Sequence, residues 1–166
     1  MPLHRGKAST TITNVYSNYP HQDHAPEPGQ VRASAHTDYG AFTLLVADNA
    51  PGGLQVLNRD GSWQSVSLPP HSFVVNLGDL MQRWTNDCWK STMHRVVNPP
   101  LPEVDPRTAA PSNRRQSIAF FFNMNKDALI ECIETCKADG EKPKYEPILA
   151  GEHLLQKHAA AMGMPY

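Results

Sequence analysis

Val31-Arg32-Ala33-Ser34-Ala35-His36-Thr37-Asp38-Tyr39-Gly40-Ala41-Phe42-Thr43-Leu44-Leu45-Val46 is the stretch on which the fold turns. It reads as the end of one strand leading into another. On a strand, positions i and i+2 face the same way. His36 and Asp38 can therefore offer an imidazole and a carboxylate to one point, while Thr37 faces away. A second histidine in a similar setting, His94, falls in Lys90-Ser91-Thr92-Met93-His94-Arg95-Val96-Val97. That segment is another predicted strand, on which Thr92, His94 and Val96 share one face.

Two histidines and one carboxylate on a rigid frame, with no fourth protein ligand, form the facial triad of non-haem Fe(II) oxygenases. An H-x-D alone is a common pattern, and this chain has 8 histidines. The reading gains from Arg115-Gln116-Ser117, which opens the apolar run Ile118-Ala119-Phe120-Phe121-Phe122-Asn123. Arg115 and Ser117 project to one side of a predicted buried strand. An arginine on an inward face needs an anion, because an unpaired buried charge is costly. A guanidinium beside a hydroxyl suits a carboxylate.

At 166 residues the chain reads as one domain, residues 1–166, long enough for a proper core. A net charge of −1 offers no electrostatic case for nucleic acid or an anionic membrane as partner. No apolar run approaches membrane-spanning length, and Met1–Lys7 lacks the apolar segment of a signal peptide. Cys88, Cys132 and Cys136 are odd in number and read as free thiols in a reducing, cytoplasmic compartment.

Along the chain, Thr10–Tyr19 is rich in β-formers and reads as the first strand. Pro20–Gln30 is a Pro-rich loop, which places His21 and His24 outside any ligand set. Phe42–Val46, Leu54–Leu57 and Ser62–Val66 are strands, the last two joined through Asn58-Arg59-Asp60-Gly61, whose Asp-Gly pair tolerates positive φ. Pro69-Pro70-His71 breaks the chain before Ser72–Asn76. His71 is the rival to His94 as distal ligand, but it sits in a turn beside two prolines. Gly78-Asp79 marks a sharp turn into Leu80–Trp84. Residues 98–114 form a long Pro-rich loop, of the kind that serves as a lid or as plain surface. Ala128–Ile133 is ambiguous between helix and strand. Glu152–Met162 has helical spacing and ends near Gly163, with His153 and His158 read as surface residues. Short strands with turn signals between them indicate an all-β sandwich or barrel with a C-terminal helix.

The chain resembles the isopenicillin N synthase-like group of 2-oxoglutarate- and Fe(II)-dependent dioxygenases. The matching pieces, in the family's order, are Asn18-Tyr19-Pro20, His36-Thr37-Asp38-Tyr39-Gly40, Gly53-Leu54-Gln55-Val56 and Asn76-Leu77-Gly78-Asp79, then Arg83-Trp84-Thr85-Asn86, Ser91-Thr92-Met93-His94-Arg95-Val96, Arg115-Gln116-Ser117 and Tyr145-Glu146-Pro147. The resemblance implies a double-stranded β-helix, or jelly-roll, of two antiparallel sheets with the site between them. It implies an extended segment at Ala128–Ile133. It implies that His36, Asp38 and His94 hold Fe(II), and that Arg115, Ser117 and Tyr19 hold the far carboxylate of 2-oxoglutarate. Many relatives carry Asn at the position of Ser17. O2 is then the oxidant and ascorbate a reductant the family admits. A small organic substrate is hydroxylated, desaturated or cyclised, with release of succinate and CO2.

Three alternatives stay open. Some members of this group keep the Arg-x-Ser pair and bind another anion there, acting as oxidases without 2-oxoglutarate. Relatives also carry a long helical segment ahead of the strand that holds Tyr19, whereas only residues 1–9 precede it here. That segment covers one sheet, so a non-catalytic module with an uncovered apolar face, prone to self-association, is the competing reading. A zinc hydrolase with the same three ligands would need a general base beside the metal and would leave Arg115-x-Ser117 unexplained.

Overall fold

The computed structural model describes residues 11–22, 24–48, 53–98, 113–138 and 140–164. Eight strands build two four-stranded sheets. One has the order β1 (Thr11–Tyr19), β8 (Arg115–Asn123), β3 (Phe42–Ala47), β6 (Val74–Leu77). The other has the order β2 (Val31–His36), β7 (His94–Val97), β4 (Leu54–Leu57), β5 (Trp63–Ser65). All pairings are antiparallel, and the chain passes repeatedly from one sheet to the other. This is the expected double-stranded β-helix. Strands β9 (Leu129–Ile130) and β10 (Ile148–Leu149) form a separate pair.

Alternation along the strands decides what lies between the sheets. On β1 and β8, Ser17 pairs with Ser117 and Tyr19 with Arg115. Both pairs turn into the space between the sheets, with Thr43 of β3 and Asn76 of β6 on the same side. The opposite face of that sheet carries Tyr16, Ile118 and Val46 as a cross-strand row, all exposed. Ile12 and Val75 are exposed as well, and Phe42 stacks on Phe122 with ring centres 4.5 Å apart.

Among the described residues, a cluster of buried apolar side chains lies outside the strands of the two four-stranded sheets. Leu80, Ile130, Ile148 and Ala150 are buried together, with Trp84, Met124 and Ala128 against them. Burying a Leu or Ile side chain contributes about 1.5–3 kcal/mol, so this cluster anchors the two helices to the β9–β10 pair. α1 (Asp79–Trp84) supplies Leu80, and α2 (Ala150–Ala161) starts on it, its first two backbone N–H groups donating to the carbonyls of Ala128 and Lys126. Gly163, at φ 65°, ends α2 in the left-handed conformation that glycine adopts without a Cβ penalty.

Several expectations change. Leu80–Trp84, to which the sequence assigned no element beyond the sharp turn before it, lies in a helix, and Leu80 reaches the core. The strand holding His94 is only His94–Val97. Ala128–Ile133 contributes two strand residues, and a 3-10 turn follows at Glu134–Cys136. His153, read as a surface residue, is 6% exposed, on the buried side of α2 with its Nε2 3.2 Å from the Tyr39 carbonyl. His158 is exposed, as read. Most of the Pro-rich loop, residues 99–112, lies outside the described residues.

Candidate metal and anion site

β2 and β7 are neighbours, and His36 pairs directly with His94 across them. Their rings therefore meet on one face, with centres 4.3 Å apart. Asp38 follows two residues past His36, just beyond the end of β2. Its Oδ1 lies 3.8 Å from His36 Nε2 and 3.6 Å from His94 Nε2. The other oxygen, Oδ2, accepts from Thr43 Oγ1 at 2.5 Å and Asn76 Nδ2 at 2.7 Å. Thr43 and Asn76 belong to the opposite sheet, so the carboxylate is clamped from across the cleft while Oδ1 stays turned to the imidazoles.

The histidines are oriented just as locally. His36 Nδ1 lies 2.7 Å from the Ser34 carbonyl, and His94 Nδ1 lies 3.0 Å from that of Thr92. A carbonyl only accepts, so each Nδ1 carries a proton, and in the neutral ring each Nε2 presents its lone pair. The three donor atoms lie within 4.8 Å of one another, and no other group of this kind occurs among the described residues. An octahedral face with bonds of about 2.1 Å has edges of about 3 Å. The two carboxylate–imidazole edges, at 3.8 and 3.6 Å, are close to that, so the donor set fits a divalent metal bound on one face. His71 is exposed, at φ 60° in its turn, and takes no part.

Gly78 holds the turn together. A Cβ there would lie 2.2 Å from the Gly40 carbonyl and 2.9 Å from that of Asp38. The N–H of Asp79 donates to the Asp38 carbonyl at 2.7 Å, and Thr37, facing away from the site as expected, donates to Asp79 Oδ2 at 3.1 Å.

From His36, Asp38 and His94 a cavity of about 190 Å³ runs between the sheets to Tyr19, Arg115 and Ser117. Leu54, Val56, Val74 and Val96 line its sides. Arg115 is 3% exposed and Ser117 6%. Arg115 Nη1 donates to Ser117 Oγ at 3.1 Å, and its guanidinium carbon lies 5.8 Å from the centre of the Tyr19 ring. Burial lowers the Arg115 pKa, with Tyr19 and Asp48 acting the other way. A second cavity, of about 510 Å³, meets the metal end from the other side. It shares His36, Asp38, Val15 and Phe121 with the first and adds Tyr39 and Asn123.

All six sequence-predicted residues thus line one cleft, the three donors at one end and Tyr19, Arg115 and Ser117 at the other. Thr43 and Asn76, which hold Asp38, were missed. Both were visible as polar residues interrupting apolar strands on an inward step.

The family model of the 2OG-Fe(II) oxygenase superfamily matches residues 8–124. A rice protein named homoarginine-6-hydroxylase 2-ODD-233 is 41% identical over 124 residues, covering 74% of this chain and 34% of its own. The 2-oxoglutarate-Fe(II) type oxidoreductase hxnY of Emericella nidulans is 39% identical over 148 residues, covering 89% of this chain and 38% of its own. A full-length Neurospora crassa protein, solved in complex with alpha-KG and thymine, superposes with a TM-score of 0.76 at 38% identity, covering 93% of this chain and 45% of that one. The chain belongs to the 2OG-Fe(II) oxygenase superfamily, whose cofactors are Fe(II) and 2-oxoglutarate, with O2 as co-substrate. It spans roughly two-fifths of the length of the curated relatives it matches, 38% of hxnY for example. No helix among the described residues is long and apolar enough to cross a membrane.

Proposed function

We propose that residues 1–166 form the catalytic jelly-roll of an Fe(II)- and 2-oxoglutarate-dependent oxygenase, of the isopenicillin N synthase-like branch, that oxidises a small organic molecule. The observation that carries this reading is the single cleft with three bare donor atoms at one end and a buried arginine at the other. His36, Asp38 and His94 hold Fe(II). Thr43 and Asn76 keep the Asp38 carboxylate aimed, and the Ser34 and Thr92 carbonyls keep the imidazoles aimed. Arg115, Ser117 and Tyr19 bind the distal carboxylate of the keto acid, which sets its other end toward the donors. The apolar walls exclude water. When bound, iron supplies oxygen activation coupled to conversion of 2-oxoglutarate to succinate and CO2. The second cavity takes the organic substrate, beside Tyr39, Phe121 and Asn123. The three free thiols suit a reducing cytoplasmic compartment.

Anaerobic titration with Fe(II) and then 2-oxoglutarate tests this. A visible charge-transfer band that needs both supports the reading. Iron binding without the band on adding 2-oxoglutarate would favour an oxidase that binds another anion, and no iron binding would favour a non-catalytic module.

The exposed row Tyr16, Ile118 and Val46, with Ile12 and Val75, supports a further reading: self-association through this face. Val46→Asp should then lower the sedimenting mass. An unchanged, monomeric wild type would sink the idea.

A further inference from the structure

We propose that Arg32 is a positioning residue for the keto acid, bracing Tyr19 alongside Arg115 and giving the anion end a second positive charge that a bound carboxylate balances. The inference rests on reading the cleft as a 2-oxoglutarate site.

Arg32 lies on β2 with its guanidinium carbon 5.4 Å from the centre of the Tyr19 ring, the same ring that Arg115 approaches to 5.8 Å. Two cations thus share one phenol. Arg32 is fixed there by its Nε, which donates to Asn98 Oδ1, and its Nη2, which donates to the Asn113 carbonyl, each at 3.0 Å. Asn113 is 1% exposed, and its carboxamide accepts from Gln22 N–H at 2.8 Å and donates to Gln22 O at 3.2 Å. It stands two residues before Arg115. The spacing of the two arginines is therefore set by a rigid bracket between β2 and the start of β8.

The third donor nitrogen of Arg32, Nη1, is shut off from solvent and has no acceptor among the described residues. Burial, followed by the neighbouring Arg115, depresses the Arg32 pKa, and Tyr19 acts to raise it. The hydrogen-bond partners of Arg32 among the described residues, Asn98 and Asn113, are both neutral. A stabilising bracket alone would be better served by a neutral side chain, since two like charges and an unfilled buried donor both cost free energy. The arrangement is favourable once an anion arrives between Arg115, Ser117 and Tyr19: Arg115 lines that space directly, while Arg32, outside the cavity lining, acts from behind the Tyr19 ring it braces.

The test uses the whole 166-residue chain loaded anaerobically with Fe(II). Calorimetric titration compares 2-oxoglutarate with 2-oxopentanoate, which has the same keto-acid head and chain length but a methyl group in place of the distal carboxylate. Wild type should prefer 2-oxoglutarate. In Arg32→Gln, 2-oxoglutarate should bind about tenfold more weakly, with Fe(II) and 2-oxopentanoate binding unchanged. A parallel loss for both keto acids would make Arg32 merely structural, and an unchanged 2-oxoglutarate affinity would also overturn the proposal. Should Arg32→Gln lose its thermal transition, Arg32→Lys decides. It keeps the charge without the planar fork, so the 2-oxoglutarate preference should survive with a loss of about threefold. Wild type that binds neither keto acid would instead overturn the reading of the cleft, and this inference with it.

Discussion

The two ends of the cleft are built in different ways. At the metal end each imidazole is oriented by a carbonyl two residues back in the chain, Ser34 for His36 and Thr92 for His94. At the anion end Tyr19, Arg115 and Arg32 come from three strands and meet only through sheet register and the Asn113 bracket. At the metal end the imidazoles are aimed locally and the carboxylate from the facing sheet, and the polar atoms are matched apart from the lone pairs that point at one spot. The anion end is assembled over long range and holds the buried charge of Arg115 with Arg32 close by. The first is a preformed socket, and the second is completed by what it binds.

The largest effect that would break this contrast comes from the socket. His94→Ala should reduce Fe(II)-dependent turnover of 2-oxoglutarate to background, while His71→Ala should leave most of it; the reverse result would sink the ligand assignment. At the other end, Arg115→Ala should weaken 2-oxoglutarate binding about a hundredfold and leave Fe(II) affinity nearly untouched. Equal losses in both titrations would mean the ends are not separable and Arg115 is structural. A finer cut removes one clamp on Asp38. Asn76→Ala should lower metal affinity about 10- to 100-fold, measured by competition with a chelator, without moving the keto-acid site. Unchanged affinity would show that Thr43 alone aims the carboxylate.

The smallest effect lies outside the cleft and serves as a control. Burial pushes the Asp87 carboxyl up, but hydrogen bonds from Tyr145, Lys144 and Gln82, with Lys90 nearby, pull it down from 3.8 to about 2. A depressed carboxyl contributes stability that is present above its unfolded value of 3.8 and is lost as pH falls through about 2. In urea unfolding, wild type should exceed Asp87→Asn by no more than about 1 kcal/mol at neutral pH, and the gap should shrink across that acid window. A gap that persists below about pH 2 would assign the loss to packing instead.

The same contrast explains how much the sequence disclosed. His-x-Asp and Arg-x-Ser are patterns of period two, and a strand converts them directly into shared faces, so His36, Asp38, Arg115 and Ser117 were readable. That Tyr19 lies beside Arg115 depends on pairing of distant strands, which spacing does not encode, and it entered through family resemblance. Arg32 carried no signal, since its neighbours Asn98 and Asn113 are remote in sequence. His153 was misread because its burial comes from α2 docking over the Tyr39 turn, a tertiary event. Leu80–Trp84 is too short for periodicity to separate helix from strand.

One oxygen pair has a consequence for the whole molecule. Asp38 extends from β2 and receives its two hydrogen bonds from β3 and β6, on the facing sheet. The carboxylate is therefore a latch between the halves of the sandwich as well as a candidate ligand. An ion seated on Oδ1 bolts that latch to His36 and His94, so loading with metal should raise the unfolding temperature in step with ion concentration. Thermal resistance then becomes a gauge of iron occupancy, readable with no substrate at all.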